Sequence, residues 1–384
     1  MATIGLSMIV KNEAKLILRC LESVRLLVDF VCISDTGSSD LTKSLISDFM
    51  VEHKIAGVVF DTPWRGFAHN RNEALRILNN HNLIDYAFVI DADDTLEIAP
   101  GFDVDAFKAG MTFDIYDLMV EHGGVLHPRP QIFRNKPGYY WVGVLHEYLD
   151  APTGFTRAPA PGLKIHASIE GSRNADPKKF QKDALILKKA LKTEKNGYLR
   201  ARYTFYLAQS YRDAEDPENA LKYYLIRSKM GFYDQEVYIA LLEAIRAYSK
   251  LQKPPDLALE CFDRAAKLLP GRAEAHHAMS YLCRQRGENK FGMEIARRGL
   301  DIKQPDGLFI QPWVYDYGVR DEYAVNAYWC GEYRECLESS LKLLASESTP
   351  ASIVKRLAIN SLAALEKLTT QPAAAPEPMF LFSD

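Results

Sequence analysis

The sequence predicts an α/β domain followed by an all-α solenoid within one chain of 384 residues. Three observations predict this. Short apolar runs alternate with helical patterns up to about residue 170, strand signals stop beyond Asp176, and a helix–turn–helix pattern then recurs along the rest of the chain. The length itself exceeds one ordinary hydrophobic core, so two domains are the default expectation.

In the first half, IGLSMIV (4–10), FVCIS (30–34), GVVF (57–60) and YAFVI (86–90) are strand candidates, rich in β-branched and aromatic residues. Between them Leu16, Cys20, Leu21 and Val24 keep helical spacing, as do Leu41, Leu45 and Ile46, and then Ala74, Leu75 and Leu78. Strand–helix alternation implies parallel strands with helices on the faces, and such sheets bind ligands beyond the carboxyl ends of their strands. Val10 to Glu13, Asp35, Asp61 and Asp91 to Asp94 all fall at such ends. From about 113 to 166 the pattern changes to strands with turns, including Gly123-Gly124 and NKPG at 135–138, which predicts a mixed extension of the same sheet.

The second half carries the spacing of a tetratricopeptide repeat, a helix–turn–helix unit of about 34 residues. One copy has Leu207, Ala208, Tyr211, Ala220 and Tyr224; a second has Ala244, Ile245, Tyr248, Ala258, Phe262, Ala265 and Pro270. A third has Met279, Cys283, Gly292 and Ala296, and a fourth, after the insertion QPDGLFIQPWVYDYG, has Ala324, Tyr328, Leu337 and Leu341. Residues 352–368 are expected as a capping helix; an unrelated helical bundle is the alternative. The expected layout is 1–175 as the α/β domain, 176–200 as a linker helix, 201–370 as repeats and 371–384 as a flexible tail, whose MFLF could dock on a neighbour.

Hydrophobic content of 47% with 25% charged residues is that of a soluble globular protein, and a net charge of −3 favours no charged partner overall. The six cysteines include no C-x-x-C pair, which matches neither a zinc site nor a disulfide framework and suits a reducing cytoplasm. The apolar start ends at Lys11 and lacks a basic lead, so no signal peptide is expected, and no run reaches the eighteen or so apolar residues that span a bilayer. The expected location is cytoplasmic.

VIDADDTLEI (89–98) places Asp91, Asp93 and Asp94 directly after a core strand. At about 5 Å and an effective dielectric of about 20, each charged pair repels by roughly 3 kcal/mol. A hard divalent cation such as Mg²⁺ or Mn²⁺, shared with phosphates, would offset that repulsion. The other reading is an acidic turn in which one Asp caps the next element and another faces water. DTGSSD (35–40) likewise reads as a glycine turn with a helix cap. Arg71 lies in the first turns of a helix, where a guanidinium and the helix N-terminus both suit phosphate. Trp64 and Phe67 fit a core staple better than a sugar platform.

Four stretches in this order, LSMIVKNEA, ISDTGSSD, FAHNRNEAL and IDADDTLEI, resemble glycosyltransferase family 2 of the GT-A fold over roughly residues 4–170. The resemblance implies that Val10, Lys11 and Glu13 hold the nucleotide of a UDP-sugar donor and that Asp35 accepts a hydrogen bond from the uracil. Thr36 stands where the commoner D-D-G-S form has a second Asp. It further implies Asp91 near the ribose or metal and Asp93 on a Mn²⁺ or Mg²⁺ ion bridging the diphosphate. QIFRNKPGYYWVGVLHEYL resembles the FR…G…HE segment of many bacterial members, which makes Glu147 a candidate general base, with Asp94 as the next candidate and a salt-bridged edge-strand Glu as the alternative. His166 stands where such enzymes often place a metal-binding His; His146 competes for that role, and a structural His is the plainer reading.

Between Lys178 and Arg202 nine Lys or Arg stand against Asp183 and Glu194, followed by Tyr198, Tyr203, Phe205 and Tyr206. A solvated helix face is one reading; a path for an anionic glycan, a membrane surface or nucleic acid is the other. Bacterial peptide S-glycosyltransferases and enzymes that decorate surface polysaccharide look similar in this two-part layout. The expected activity is metal-dependent transfer of a hexose from a UDP-sugar, with inversion, to a glycan, peptide, protein or nucleic acid held by the repeats; a homodimer is compatible with this. A transferase acting on modified phage DNA and a non-catalytic nucleotide-binding repeat scaffold are the rival readings.

Overall fold

A computed structural model describes residues 1–123 and 125–370, so the expected tail at 371–384, with its MFLF, and Gly124 of the expected turn lie outside the described residues. The chain forms two compact units, one from Met1 to Ala214 and the other from Glu215 onward.

The first unit begins with β1 (Ile4–Val10), α1 (Ile17–Val24), β2 (Phe30–Asp35), α2 (Thr42–Glu52), β3 (Ala56–Asp61), α3 (Phe67–Asn79) and β4 (Tyr86–Val89). The expected parallel arrangement is present: β1 pairs in parallel with β2 and β4, and β2 with β3. β1 is buried along almost its whole length because it lies inside the sheet with both faces covered, which explains a near-continuous apolar run. β3 forms the sheet edge and is more open. There Gly57 is needed because a Cβ would run into the Val31 carbonyl of β2.

The helical spacings explain the packing with one shift. Ile17, Cys20, Leu21 and Val24 are the buried face of α1, and Ala74, Leu75 and Leu78 that of α3. In α2 the buried face is Thr42, Ile46 and Phe49, while Leu41 is exposed.

The sheet then extends as a mixed one. β5 (Thr95–Ile98), α4 (Val104–Ala109), β6 (Ile115–His122), β7 (Val125–Arg134), β8 (Tyr140–Val142), β9 (Tyr148–Asp150) and β10 (Arg157–His166) follow. The eight-stranded order is β3-β2-β1-β4-β7-β6-β10-β5, with β7 antiparallel to β4 and β6, and β8 and β9 form a separate antiparallel pair. α5 (Lys179–Thr193) and α6 (Gly197–Asp213) complete this unit, which therefore includes the stretch expected as a linker and the first helix of the repeats.

The second unit holds α7 (Pro217–Arg227), α8 (Asp234–Lys250), α9 (Asp256–Leu268), α10 (Glu274–Gln285), α11 (Asn289–Gly299), α12 (Val319–Trp329), α13 (Tyr333–Leu344) and α14 (Ala351–Thr370), with a π-helical turn at Val314–Gly318. α8/α9, α10/α11 and α12/α13 are tetratricopeptide-type pairs, and α14 packs on α13 where a capping helix is expected. Their second helices repeat one buried pattern at i, i+4 and i+7: Ala258, Phe262 and Ala265; Gly292, Ala296 and Gly299; Cys336, Ser340 and Leu343. The last differs by register from the expected Leu337 and Leu341, because two serines on the buried side of α13 hide its apolar stripe; Leu341 is 51% exposed. No described helix is long and apolar enough to cross a membrane.

Candidate active site

The carboxyl ends of β1, β2 and β4 meet where the strand order reverses around β1, which is where an open α/β sheet leaves a crevice. Two adjoining cavities occupy this region of the first unit, about 790 Å³ beside Val10 to Glu13 and the acid turn, and about 740 Å³ beside Trp141 to Glu147. They share Phe67, Arg71, Asp91, His122, Arg129 and Arg173.

Arg71 is the joint. The side chain of Asn70, fully buried, accepts from Arg65 N and donates to Pro63 O, which fixes the entry into α3 and so the direction of the next residue. From there Arg71 Nη2 donates to Asp91 Oδ1 at 2.7 Å and Nε to Glu147 Oε1 at 3.1 Å, with the guanidinium 5.4 Å from the Trp141 ring centre. Burial alone would lower the Arg71 pKa, but Asp91 and Glu147 outweigh it and hold it above the ordinary value. Arg71 in turn holds Asp91 below the ordinary carboxylate range, against the desolvation imposed by the surrounding protein.

Asp93 and Asp94 have the opposite environment. Burial, then the charge of Asp91, raises both, Asp94 to about 7. Among the described residues no cationic side chain pairs with either carboxylate; backbone amides serve them instead. Ser168 N donates to Asp94 Oδ1 at 2.8 Å, Gly171 N to Asp93 Oδ2 at 3.1 Å and Ser172 N to Glu13 Oε1 at 2.9 Å. This loop after β10 can lie so close because residue 171 has no Cβ, which would collide with Asp93 Oδ2.

Of the other expected nucleotide residues, Val10, Lys11 and Glu13 border the same crevice, whereas Asp35 lines neither cavity. Val10 is buried and its carbonyl accepts from Thr36 N and Oγ1; the carbonyl of Lys11 accepts from Ser172 Oγ. Asn12 takes a left-handed φ of 56° and its side chain accepts from Ser39 N, tying the two strand-end loops together. Asp35 is fully buried: Oδ1 accepts from Gly37 N and Ser38 N, whereas Oδ2 has no hydrogen-bond partner.

Among the described residues neither histidine has a hydrogen bond or ion pair with Asp91, Asp93 or Asp94. His166 sits between Glu97, at 2.5 Å, and Glu121, at 3.3 Å, and does not line either cavity. His146 lines the second cavity and stacks on Tyr206 at 3.8 Å between ring centres. Although open to the cleft, its ring is pushed down to about 3 by the desolvating surroundings and by Arg202. Among the described residues no three His, Cys, Asp or Glu side chains converge on a metal position. Asp91 and Asp93 offer oxygen donors, which fits a hard cation that draws its remaining ligands from a bound diphosphate.

Several cleft residues are not apparent from the sequence motifs. Arg129 and Arg173 line both cavities, Arg173 also pairing with Asp183 and lying over the Phe67 ring. Lys179 lines both as well, its pKa lowered by burial and by Arg173, while Lys188, Lys189 and Lys192 of the same basic run are exposed on α5. Trp64 and Phe67 do pack edge to face at 4.7 Å, but Trp64 is 46% exposed and both line the crevice, so the pair is not core. Asn72 holds the β8 backbone from both sides, its amide donating to Trp141 O at 2.8 Å and accepting from Trp141 N at 2.7 Å.

Residues 6–99 match Glycosyl transferase family 2. The matched segment runs from β1 to just past β5 and so contains the loops after β1 and β2, Arg71 and the acid turn, but not Glu147. A TPR repeat-containing protein of Synechococcus elongatus is 29% identical over 173 residues, 44% of this chain; the match spans 40% of that relative's length. Among solved structures, TarS 1–349 of S. aureus in complex with UDP-GlcNAc is similar at 14% identity and a TM-score of 0.36, over 74% of this chain and 92% of that one. A thermophilic TPR protein of Thermus thermophilus is similar at 17% identity and a TM-score of 0.33, over 49% of this chain and 91% of that one.

Proposed function

We propose that this protein transfers a hexose from a UDP-sugar to a macromolecular or glycan acceptor, with inversion at the anomeric carbon. The observation that carries the reading is the Arg71 bridge, which ties the acid turn through Asp91 to Glu147 at the joint of two cavities. The larger cavity would take the donor and the second the acceptor; Asp35 Oδ2, buried and without a partner, would have to be uncovered to accept from a uracil N–H. Glu147 would accept the proton of the acceptor nucleophile as that nucleophile bonds to the anomeric carbon. The bond from that carbon to the diphosphate oxygen breaks, and its electron pair leaves with UDP. Arg71 stays protonated and orients Glu147, while Arg129, Arg173 and Lys179 line the cleft as countercharges for phosphate. A Mn²⁺ or Mg²⁺ ion held by Asp91 and Asp93 would supply further stabilisation of the diphosphate charge.

The test is incubation with a panel of nucleotide sugars and Mn²⁺, following nucleotide release. Release from one UDP-sugar, lost in EDTA and in Asp93→Ala, supports the proposal. Equal release in EDTA and in Mn²⁺ sinks the metal requirement, and binding of UDP-sugars without any release favours a scaffold.

A further inference from the structure

The second unit carries a cavity of about 730 Å³ that the transfer chemistry does not use. It lies on α8 and α10 and is bordered by Gln311 and Trp313 from the segment between α11 and α12. That segment is anchored by a buried pair: Arg272, 2% exposed, bonds Glu274, 0% exposed, at 2.8 Å. Arg272 Nη1 also donates to Leu308 O at 2.9 Å, and Gln311 N donates to Glu274 Oε1 at 3.3 Å. Arg246 Nη2 closes the contact at 2.6 Å on Gln311 Oε1. A buried guanidinium and carboxylate with these partners hold the segment in one place, so the cavity is built rather than incidental.

The lining has one sign of charge. Among the described residues Arg246, Lys250 and Arg286 border it and no carboxylate does. Arg246 is answered by Glu243 at 2.7 Å, whereas among the described residues no ion pair involves Lys250 or Arg286. Trp313 and Tyr281 also border it, each a little over one-third exposed, and Trp313 is braced edge-on against His277 at 4.7 Å. The remaining polar lining is rich in amides, Gln252 and Gln285 with Gln311, and among the described residues Ala278 is the lone aliphatic one.

We propose that this cavity binds a sugar chain carrying carboxylate or phosphate groups. Lys250 and Arg286 take the charge, the amides exchange hydrogen bonds with hydroxyls, and the two aromatic rings offer flat faces to sugar C–H groups. An acidic peptide fits less well, because peptide interfaces depend on apolar anchors in pockets and this lining has no aliphatic pocket. A nucleic-acid strand needs a basic track for successive phosphates, and here the cations border a single cavity. Service as an acceptor-holding site rests on the transferase reading; the binding itself does not.

The experiment is calorimetric titration of the full chain with hexagalacturonate, mannopentaose phosphate, neutral maltohexaose, hexaglutamate and the oligonucleotide dT6. We expect one of the two anionic oligosaccharides to bind at least about tenfold more tightly than the other three probes. The double variant Lys250→Ala/Arg286→Ala, both exposed positions, should weaken that binding by about tenfold or more, and Trp313→Phe should weaken it further. Equal or tighter binding of hexaglutamate or dT6, no oligosaccharide binding at millimolar concentration, or an unchanged double variant overturns the proposal. UDP release from the donor, followed in the same double variant, should equal that of the natural protein. Absence of donor turnover in both would refute the transferase reading and leave the binding result standing.

Discussion

Arg71 Nε donates to Glu147 Oε1 at 3.1 Å, joining α3 to a loop 76 residues further along the chain. The same guanidinium holds Asp91, so the candidate base and the acid turn are positioned by one planar group. A planar fork can satisfy both carboxylates at once, which an ammonium point charge cannot do with the same geometry.

Glu147→Gln should therefore leave donor affinity nearly unchanged and lower turnover by about 10²-fold or more. Arg71→Lys should also lower turnover strongly, since the charge remains while the orientation is lost. Steady-state kinetics with a UDP titration checks both. Turnover near that of the natural protein in Glu147→Gln would move the base to Asp94.

Asp94 stands at about 7, above the value of about 3.9 for an unfolded Asp. Between those values the folded chain keeps a proton that the unfolded chain has released, so this residue's contribution falls as pH rises from about 4 through about 7. The contribution is on the order of a few kcal/mol. Melting curves from pH 5 to 8 should show a steeper loss for the natural protein than for Asp94→Asn. Parallel curves would mean that the folded protein does not hold that proton.

Gly171→Ala places a methyl group against Asp93 Oδ2 and must displace either the carboxylate or the loop. The expected result is Mn²⁺-dependent UDP binding weakened by about tenfold, with a melting temperature within about 4 °C of the natural protein. UDP titrations with and without Mn²⁺ decide it; an unaltered Mn²⁺ effect counts against Asp93 as a ligand.

The register of α13 yields a stability contrast. Leu341→Glu, at an exposed position, should change unfolding free energy by about 0.5 kcal/mol or less, whereas Leu343→Ala should cost about 2–5 kcal/mol. Denaturant unfolding of the two variants, read at the transition of the second unit, tests the assignment. The reverse order would restore the stripe through Leu337 and Leu341.

The parts of the fold legible in the sequence were those enforced by burial of apolar side chains. Ala74, Leu75 and Leu78 announce their helix face, and the β1 run announces a strand covered on both sides. Leu41 and Leu341 misled because an exposed leucine looks the same in sequence as a buried one, while Thr42 and Ser340 occupy the inner positions. In the crevice, Arg71 and Asp91 were legible as charged groups at a helix start and a strand end, and Glu147 only through the resemblance of its segment; the structure joins both acids to Arg71. The amides of Ser168, Gly171 and Ser172 were not, because a backbone N–H belongs to nearly every residue type and leaves no compositional trace. Asn72 was hidden for a related reason: its partner is the main chain of Trp141, which constrains no side chain opposite it.

Arg71 and Asn72 are neighbours on one helical turn, yet one grips the side chain of Glu147 and the other the strand leading to it. Each residue added within a helix turns everything after it by about 100°. A single insertion or deletion between Phe67 and Arg71 would thus break both grips together, and one between Thr62 and Gly66 would disturb the Asn70 contacts that set the direction of Arg71. Lineages of this protein should accordingly keep strict spacing from Thr62 through Asn72. Segment exchange between relatives should succeed when Thr62 to Asn72 comes from one parent and fail when the crossover falls inside that stretch.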